Sequence, residues 1–420
     1  MRPEESQEPS AVRKSRPSAF WQVFGTLFVI ALVFSGLELW VRMKESRRFG
    51  PNSLHSIALR DPFTAWRNNP AYGRVDRRIN SQGFRRDDEV SLEKPPNTIR
   101  IFLTGGSVAY GWTTGWPEID NRFDRLYGNQ TISSYLERDL NAIYPRRNWE
   151  VINAAVVGYQ LNLELAQTES VLLRYRPDCI IYLDGHNDLL SLLHNAGRNY
   201  DPYVSTPTRS EFELLANPGS LRSLLVFTAA WMRENSALFR KSMDALENTE
   251  NAEPEHEAGA GRWPNPIRPF DLNLAEQARF QAAEAQLGYY PHLARQIHRL
   301  LDLDGAKAIF VLQPELLLTR KRLAGPEPRL HDYLWKNPAL FLYAFQQLYP
   351  EVAAKMALAA QQDGFVFRSL TGVFDQTTQQ TFTDDCHLTP EGNRIIADQL
   401  FSLVEGIFEK QAQAPESSAG

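Results

Sequence analysis

At 420 residues the chain has room for one large domain or two smaller ones. Hydrophobic residues make up 43% of it and charged residues 23%, a globular mixture that excludes a largely disordered chain. The net charge of −5, with no long basic tract beyond the N-terminal flanks, argues against a nucleic-acid partner.

Residues 1–17 are rich in Pro, Glu, Ser and Arg without an apolar period, and read as a disordered tail. An almost unbroken apolar run follows, flanked by Trp21 and Trp40. Its length suits a bilayer span, and tryptophans belong at the two interfaces. The alternatives are a buried core helix or a cleaved signal peptide. The run is long for a signal, and no small-x-small cleavage site follows it, so residues 18–41 are expected to be an uncleaved anchor. Arg13, Lys14 and Arg16 precede the span, whereas Arg42, Lys44, Arg47 and Arg48 follow it. That balance nearly ties under the positive-inside rule. A short tail before a single span places the large domain outside the cytoplasm, on the periplasmic side, as the expectation.

Residues 42–96 form a polar connector, in which 78–85 read as a short strand and turn with Phe84 packed on the domain. The expected domain spans 97–410. Its first strand, 99–103, is short, apolar and β-branched at its start, and breaks at Gly105-Gly106-Ser107. Taken alone, that turn reads as an ordinary loop, a phosphate-binding turn or the seat of a nucleophile. The spacing predicts a helix over 132–144, a strand over 149–155 and a helix over 161–175 stopped by Pro177. A third strand at 178–183 opens into Gly185-His186-Asn187-Asp188. Strands separated by helices imply a parallel sheet with right-handed crossovers.

Regularity then lapses over about 190–270, which reads as an insertion over the sheet: a helix at 221–246, then a mobile acidic loop at 247–269. It is either a lid or decoration without a role. A helix at 272–301, kinked or split by Pro291, leads to a strand at 306–312. A second insertion at 316–348 is a candidate wall of a cleft. A helix at 352–361 and a strand at 364–368 precede the polar loop Thr383-Asp384-Asp385-Cys386-His387 and a helix over 394–408. Residues 411–420 are a frayed tail. The two cysteines give no zinc spacing and no disulfide framework. Cys179 should start a strand and Cys386 should lie beside the site, so no bridge is expected between them.

The strand-end loops therefore offer Ser107, Gly158, Asn187, Asp384 and His387 on one edge of one sheet. A serine needs a base, a histidine base needs an orienting carboxylate, and a developing oxyanion needs fixed donors. Ser107 and Gly158 N–H and the Asn187 amide are candidates for that last part. Each residue also has a plainer role open to it. Asp384 and His387 can cap a helix, Asn187 and Asp188 can form a turn, and Gly158 can be a loop glycine. All of them arising together in this order is much less common.

At this point the sequence resembles the SGNH, or GDSL-like, hydrolase superfamily, from about residue 78 to the helix ending near 408. The blocks that resemble it are Gly105-Gly106-Ser107, Asn153 through Gly158, Gly185-His186-Asn187-Asp188, and Asp384-Asp385-Cys386-His387. Gly106 stands where the better-known motif has Asp. Residues 78–85 and Leu312-Gln313-Pro314 also resemble bacterial, membrane-tethered members found near polysaccharide genes. The resemblance implies a three-layer α/β/α sandwich around a parallel sheet of about five strands. It implies Ser107 as nucleophile, His387 as base and Asp384 as the orienting acid. The implied oxyanion hole is Ser107, Gly158 and Asn187, with no metal or organic cofactor. The implied activity is ester hydrolysis on an ester or acylated carbohydrate. The alternatives are O-acetyl transfer onto an exported polysaccharide and a non-catalytic binding module. Trp112, Trp116, Trp263 and Trp335 are candidates for a sugar platform or for plain packing. No partner protein follows from the sequence.

Overall fold

A computed structural model of the chain describes residues 19–49, 58–61, 63–70, 79–112, 128–194, 214, 217–250, 272–335 and 339–412. The expected tail at 1–17, residues 413–420 of the tail expected at 411–420, most of the 247–269 loop, and Trp116 and Trp263 lie outside the described residues, as does the side chain of Trp335; residues 411 and 412 are helical rather than frayed.

The chain opens on helix α1 (Ala19–Phe49). Phe24, Phe28, Leu32 and Phe34 on it are each more than half exposed, which is the reverse of a core helix. Val23–Lys44 is long and apolar enough to cross a bilayer, a few residues beyond the 18–41 expected. Strands β1 (Ala58–Asp61) and β2 (Ala65–Asn68) form an antiparallel hairpin. The Asp61 carboxylate turns it, accepting from Phe63 N and Thr64 N. Phe84 is buried against the rings of Phe102 and Tyr175.

The main body then alternates. β3 (Thr98–Gly105) is buried throughout and leads into the short helix α2 (Ser107–Tyr110). α3 (Ile132–Ile143), capped by the Thr131 hydroxyl, precedes β4 (Asn148–Asn153). α4 (Leu161–Ser170) precedes β5 (Cys179–Asp184), and α5 (His186–His194) follows it. Next come α6 (Leu221–Asn235), α7 (Ala237–Glu250), α8 (Leu274–Ala285) and α9 (Tyr289–Leu303). β6 (Lys307–Leu312), α10 (Glu327–Trp335), α11 (Ala339–Asp363), β7 (Val366–Ser369) and α12 (Pro390–Ala412) complete the order.

The sheet has five strands in the order β4-β3-β5-β6-β7, all parallel. Alternate residues of β3 face opposite cores, as strand geometry requires. Ile99, Ile101 and Leu103 pack with α3 and α12, whereas Phe102 packs on the side of α4, α9 and α11. The chain is thus an α/β/α sandwich around a parallel sheet. Neighbouring strands on either side of β3 are reached by crossovers in opposite directions, which opens a crevice at the carboxyl ends of β3 and β5.

Several elements differ from the expected ones. The helix predicted over 161–175 ends at Ser170 and gives way to a tight helical turn (Leu172–Tyr175), with Arg176 at positive φ before Pro177. The helix predicted over 221–246 is two, broken at Ser236, whose hydroxyl accepts from Phe239 N. The 272–301 helix does split, but before Pro291, which falls in the first turn of α9 where its missing N–H costs little. The helix expected at 352 starts at Ala339 and runs through Pro350, so the last part of the supposed cleft wall belongs to this helix. Burial of Phe345, Leu348, Tyr349 and Val352 outweighs the one hydrogen bond that Pro350 removes.

A buried ion pair fixes the segment before α12. Lys321 Nζ lies 2.6 Å from Glu327 Oε2, with neither side chain exposed. Glu327 also accepts from Thr381 N and Phe382 N, at 2.7 and 3.0 Å. Burial lowers the Lys321 pKa, and Glu327 opposes that shift. Replacing Glu327→Ala leaves an ammonium and two backbone N–H groups buried without this partner. A loss of about 3–5 kcal/mol in urea unfolding is expected.

Candidate active site

Two glycines set the turn after β3. A Cβ at Gly105 would stand 2.4 Å from Leu183 O, and one at Gly106 would stand 2.4 Å from Asn187 Nδ2. The turn is therefore pressed against the end of β5, and Ser107 becomes the first residue of α2. Short as it is, α2 is held from behind. Arg85 Nη1 donates to Tyr110 O and Gly111 O, its guanidinium lies over the Tyr110 ring, and Asn153 Nδ2 donates to Ala109 O.

The other half comes from the loop before α12. Its two arms are laced together: Thr383 N donates to His387 O and Thr389 N to Thr381 O. Between them Asp384 Oδ1 accepts from Cys386 N at 3.0 Å and His387 N at 2.7 Å. Asp384 Oδ2 lies 2.6 Å from His387 Nδ1, and His387 Nε2 lies 2.7 Å from Ser107 Oγ. With Nδ1–H given to the carboxylate, Nε2 is left as the acceptor for the serine hydroxyl. Burial pulls the His387 pKa down, but the charge and hydrogen bond of Asp384, with Asp385 behind them, leave it above the ordinary imidazole value. Of the two adjacent aspartates, Asp384 is the one that meets His387 Nδ1; Asp385 Oδ2 instead stands 3.9 Å from His186 Nε2.

Gly158 and Asn187 converge on the same turn. Gly158 has φ +84°, and a Cβ there would touch the Trp66 ring at 3.3 Å. Trp66 Nε1 donates to Val157 O at 3.0 Å, and Tyr159 OH donates to Trp66 O at 2.5 Å. Asn187 Nδ2 uses one N–H on Tyr159 O at 2.9 Å, and its amide carries a second. Asp188 ties the loop down, accepting from Leu161 N and Gly185 N. The β1–β2 hairpin thus braces the Gly158 loop, a role its four-residue polar strands did not signal. Trp112 is beside Ser107, donating from its backbone to Ser107 O, with its ring near that of Tyr110.

Sequence reasoning also missed a second histidine. His186 Nδ1 lies 3.0 Å from Glu315 Oε2, and Gln313 Nε2 holds the other Glu315 oxygen at 3.1 Å. Burial disfavours its charge, yet Glu315 and then Asp385 and Asp384 push the His186 pKa up to about 9. Its signal was only the variable position inside Gly185-His186-Asn187-Asp188. A further acid pair, Glu164 and Asp184, is wholly buried, and burial pushes both carboxyls well above the usual range.

Asp384, Asp385, Cys386 and His387 bring potential metal-ligand atoms within 4.8 Å of one another. Their chemistry suits a cation poorly. Both Asp384 oxygens already take N–H donors, and burial drives the Cys386 thiol pKa well up. Cys179, at the start of β5, and Cys386 are buried free thiols.

No protein-family model matches the sequence, and no curated protein matches it. Solved structures that it is similar to include a variant of Axe2, an acetylxylan esterase from Geobacillus stearothermophilus, with TM-score 0.36 and 12% identity over 72% of this chain and 93% of that one. The acetyl xylan esterase AlAXEase gives TM-score 0.34 and 12% identity over 73% and 100% of the two chains. LAE5, an alpha/beta hydrolase from the metagenome of Lake Arreo, Spain, gives 0.33 and 13% over 72% and 94%.

Both histidines of the site should titrate above the ordinary imidazole value. In an NMR pH titration, His387 is expected above the ordinary imidazole value and His186 near about 9. Asp384→Asn should lower the first, and Glu315→Gln the second. Gly158→Ala forces an alanine into positive φ against Trp66, and should cost about 1–2 kcal/mol of stability in a denaturant titration.

Proposed function

We propose that this chain is a serine ester hydrolase of the SGNH type acting on an acyl ester, with O-acyl carbohydrate as the substrate class. One observation carries the reading: the unbroken line Asp384–His387–Ser107, with its 2.6 and 2.7 Å contacts. His387 Nε2 takes the proton of Ser107 as Oγ attacks the ester carbonyl. The tetrahedral oxyanion is met by N–H of Ser107, N–H of Gly158 and the second Asn187 amide hydrogen. The imidazolium, stabilised by Asp384, then protonates the departing alkoxide, and an acyl-serine remains. Water, deprotonated by the same nitrogen, attacks the acyl carbon, and the imidazolium returns that proton to Ser107 Oγ as the acyl–oxygen bond breaks and the acid leaves. No step calls for a group from outside the chain other than substrate and water.

The apolar stretch Val23–Lys44 is proposed to anchor this domain to a membrane, with the domain on the extracytoplasmic side. Its outward-facing phenylalanines and leucines support that reading. Reporter fusions at the C-terminus test the sidedness: an active exported-type reporter is expected, and a cytoplasmic-type one overturns it.

The activity is tested by acetate release from a chromogenic acetyl ester and from acetylated sugar oligomers. Ser107→Ala and His387→Ala should each lower kcat by roughly 10^6-fold, and the double variant by no more. Asn187→Ala should lower kcat by about 10^2–10^3-fold with KM little changed. Equal rates for wild type and Ser107→Ala on every ester would leave the binding-module alternative. Serine-dependent appearance of acetylated sugar in place of free acetate would instead mark a transferase.

A further inference from the structure

Helices α6 and α7 belong to the insertion that reads as a cover over the sheet. α6 carries Leu221, Leu224, Leu225 and Trp231 at positions i, i+3, i+4 and i+10, which is one face of a helix. All four are exposed, Leu221 by 69%, Leu225 by 60% and Trp231 by 52%. Burial on α6 is confined to one edge beside the stripe, where Ser223 is buried and Phe227 half-buried, and Val226 on the far side is exposed as well. A surface helix of a soluble protein aims its apolar stripe at the core; α6 aims it away. An outward apolar stripe of this kind marks contact with a second apolar phase.

The fastening of α6 identifies that phase. The junction between α6 and α7 is clamped to α1. Glu38 accepts from Ala237 N and Leu238 N, both at 2.9 Å, and from Ser236 Oγ at 2.8 Å. Arg42 Nη2 donates to Asn235 O at 2.7 Å, and its Nε donates to Glu38 at 2.6 Å. Glu38 and Arg42 lie in the last two turns of the apolar stretch Val23–Lys44. At a rise of about 1.5 Å per residue, Glu38 is within about 9 Å of the end of that stretch. A carboxylate at this depth is costly unless it has partners, and the first N–H groups of α7 supply them. The clamp therefore fastens the carboxyl end of α6 at the level of α1 where Leu37, Leu39 and Trp40 are exposed. Lys44 caps the Trp40 ring at 5.2 Å, and Arg47, Arg222 and Lys241 are also exposed on these helices, cations suited to lipid headgroups.

We infer that α6 is an in-plane interfacial helix, with its Leu221–Leu224–Leu225–Trp231 stripe in the headgroup–acyl boundary of the bilayer that α1 spans. The inference rests on reading α1 as a span. It gives this part of the insertion a role other than a lid: a second contact that stops the sheet from swivelling about a single tether.

The test uses the full chain in phosphatidylcholine–phosphatidylglycerol vesicles. Both native cysteines are buried, so one new cysteine takes a nitroxide label. Labels are placed at Leu225→Cys, at Leu32→Cys in α1 and at Arg299→Cys on the solvent-facing side of α9. Collision rates with oxygen and with a water-soluble nickel chelate are compared at each. Oxygen should dominate at 32 and 225, and nickel at 299. Nickel dominance at 225 with oxygen dominance at 32 overturns the interfacial helix and leaves the anchor standing. Nickel dominance at both overturns the anchor and this inference with it. Glu38→Ala should shift the 225 label toward nickel while the 32 label stays; an unmoved 225 label overturns the clamp.

Discussion

All five strands of the main sheet run in one direction, so their carboxyl ends share one edge. That constraint organises everything above it. β3 is paired on both sides, with β4 and β5; the chain leaves β3 outward to β4, whereas from β5 it proceeds the other way, to β6. The loops therefore part at the end of β3, and the gap is where Ser107 stands. Leu103 lies beside Asn153 and Ile181 in the two ladders, so the turns after β3, β4 and β5 emerge side by side. Ser107, Gly158 and Asn187 meet because those three strands are adjacent, although they are far apart in the chain.

Charge buried inside the protein has a common use here. His186–Glu315 and Arg100–Glu150 join segments distant in the chain, whereas Lys321–Glu327 closes a six-residue span whose carboxylate then reaches across to Thr381 and Phe382. Pairs of this kind stabilise little against a well-packed apolar alternative, because desolvation offsets their attraction. What they supply is position. Glu327 grips the backbone at Thr381 and Phe382, just before Asp384. Glu315 holds His186, which touches Asp385 from the other side. The loop that carries His387 is thus gripped at its root and beside its tip, and the imidazole has little freedom to leave Ser107.

Legibility in the sequence followed the range of the interactions. The five strands were readable because each is a short apolar run ending in Gly, Asp or a polar loop, and such runs need only local pattern. The residues of the four motif blocks were readable for the same reason. α11 was not, since Pro350 reads as a stop and only burial of its neighbours overrides it. The β1–β2 hairpin was not, since four-residue strands carry almost no period; its worth lies in Trp66 touching Gly158 and Tyr159, some 90 positions later. His186 and Glu315 were missed because nothing in a lone histidine announces a partner 129 positions away.

The hydrogen bond between Ser107 and His387 joins residues 280 positions apart. A chain made from its N-terminus has the serine in place long before the histidine has been synthesised. Contacts of such high sequence separation form late, because loop closure must precede them. Through most of translation, the Ser107 hydroxyl is accordingly without the His387 imidazole. The contact is completed in one step, when the loop before α12 docks, and an incomplete chain stalled earlier lacks it.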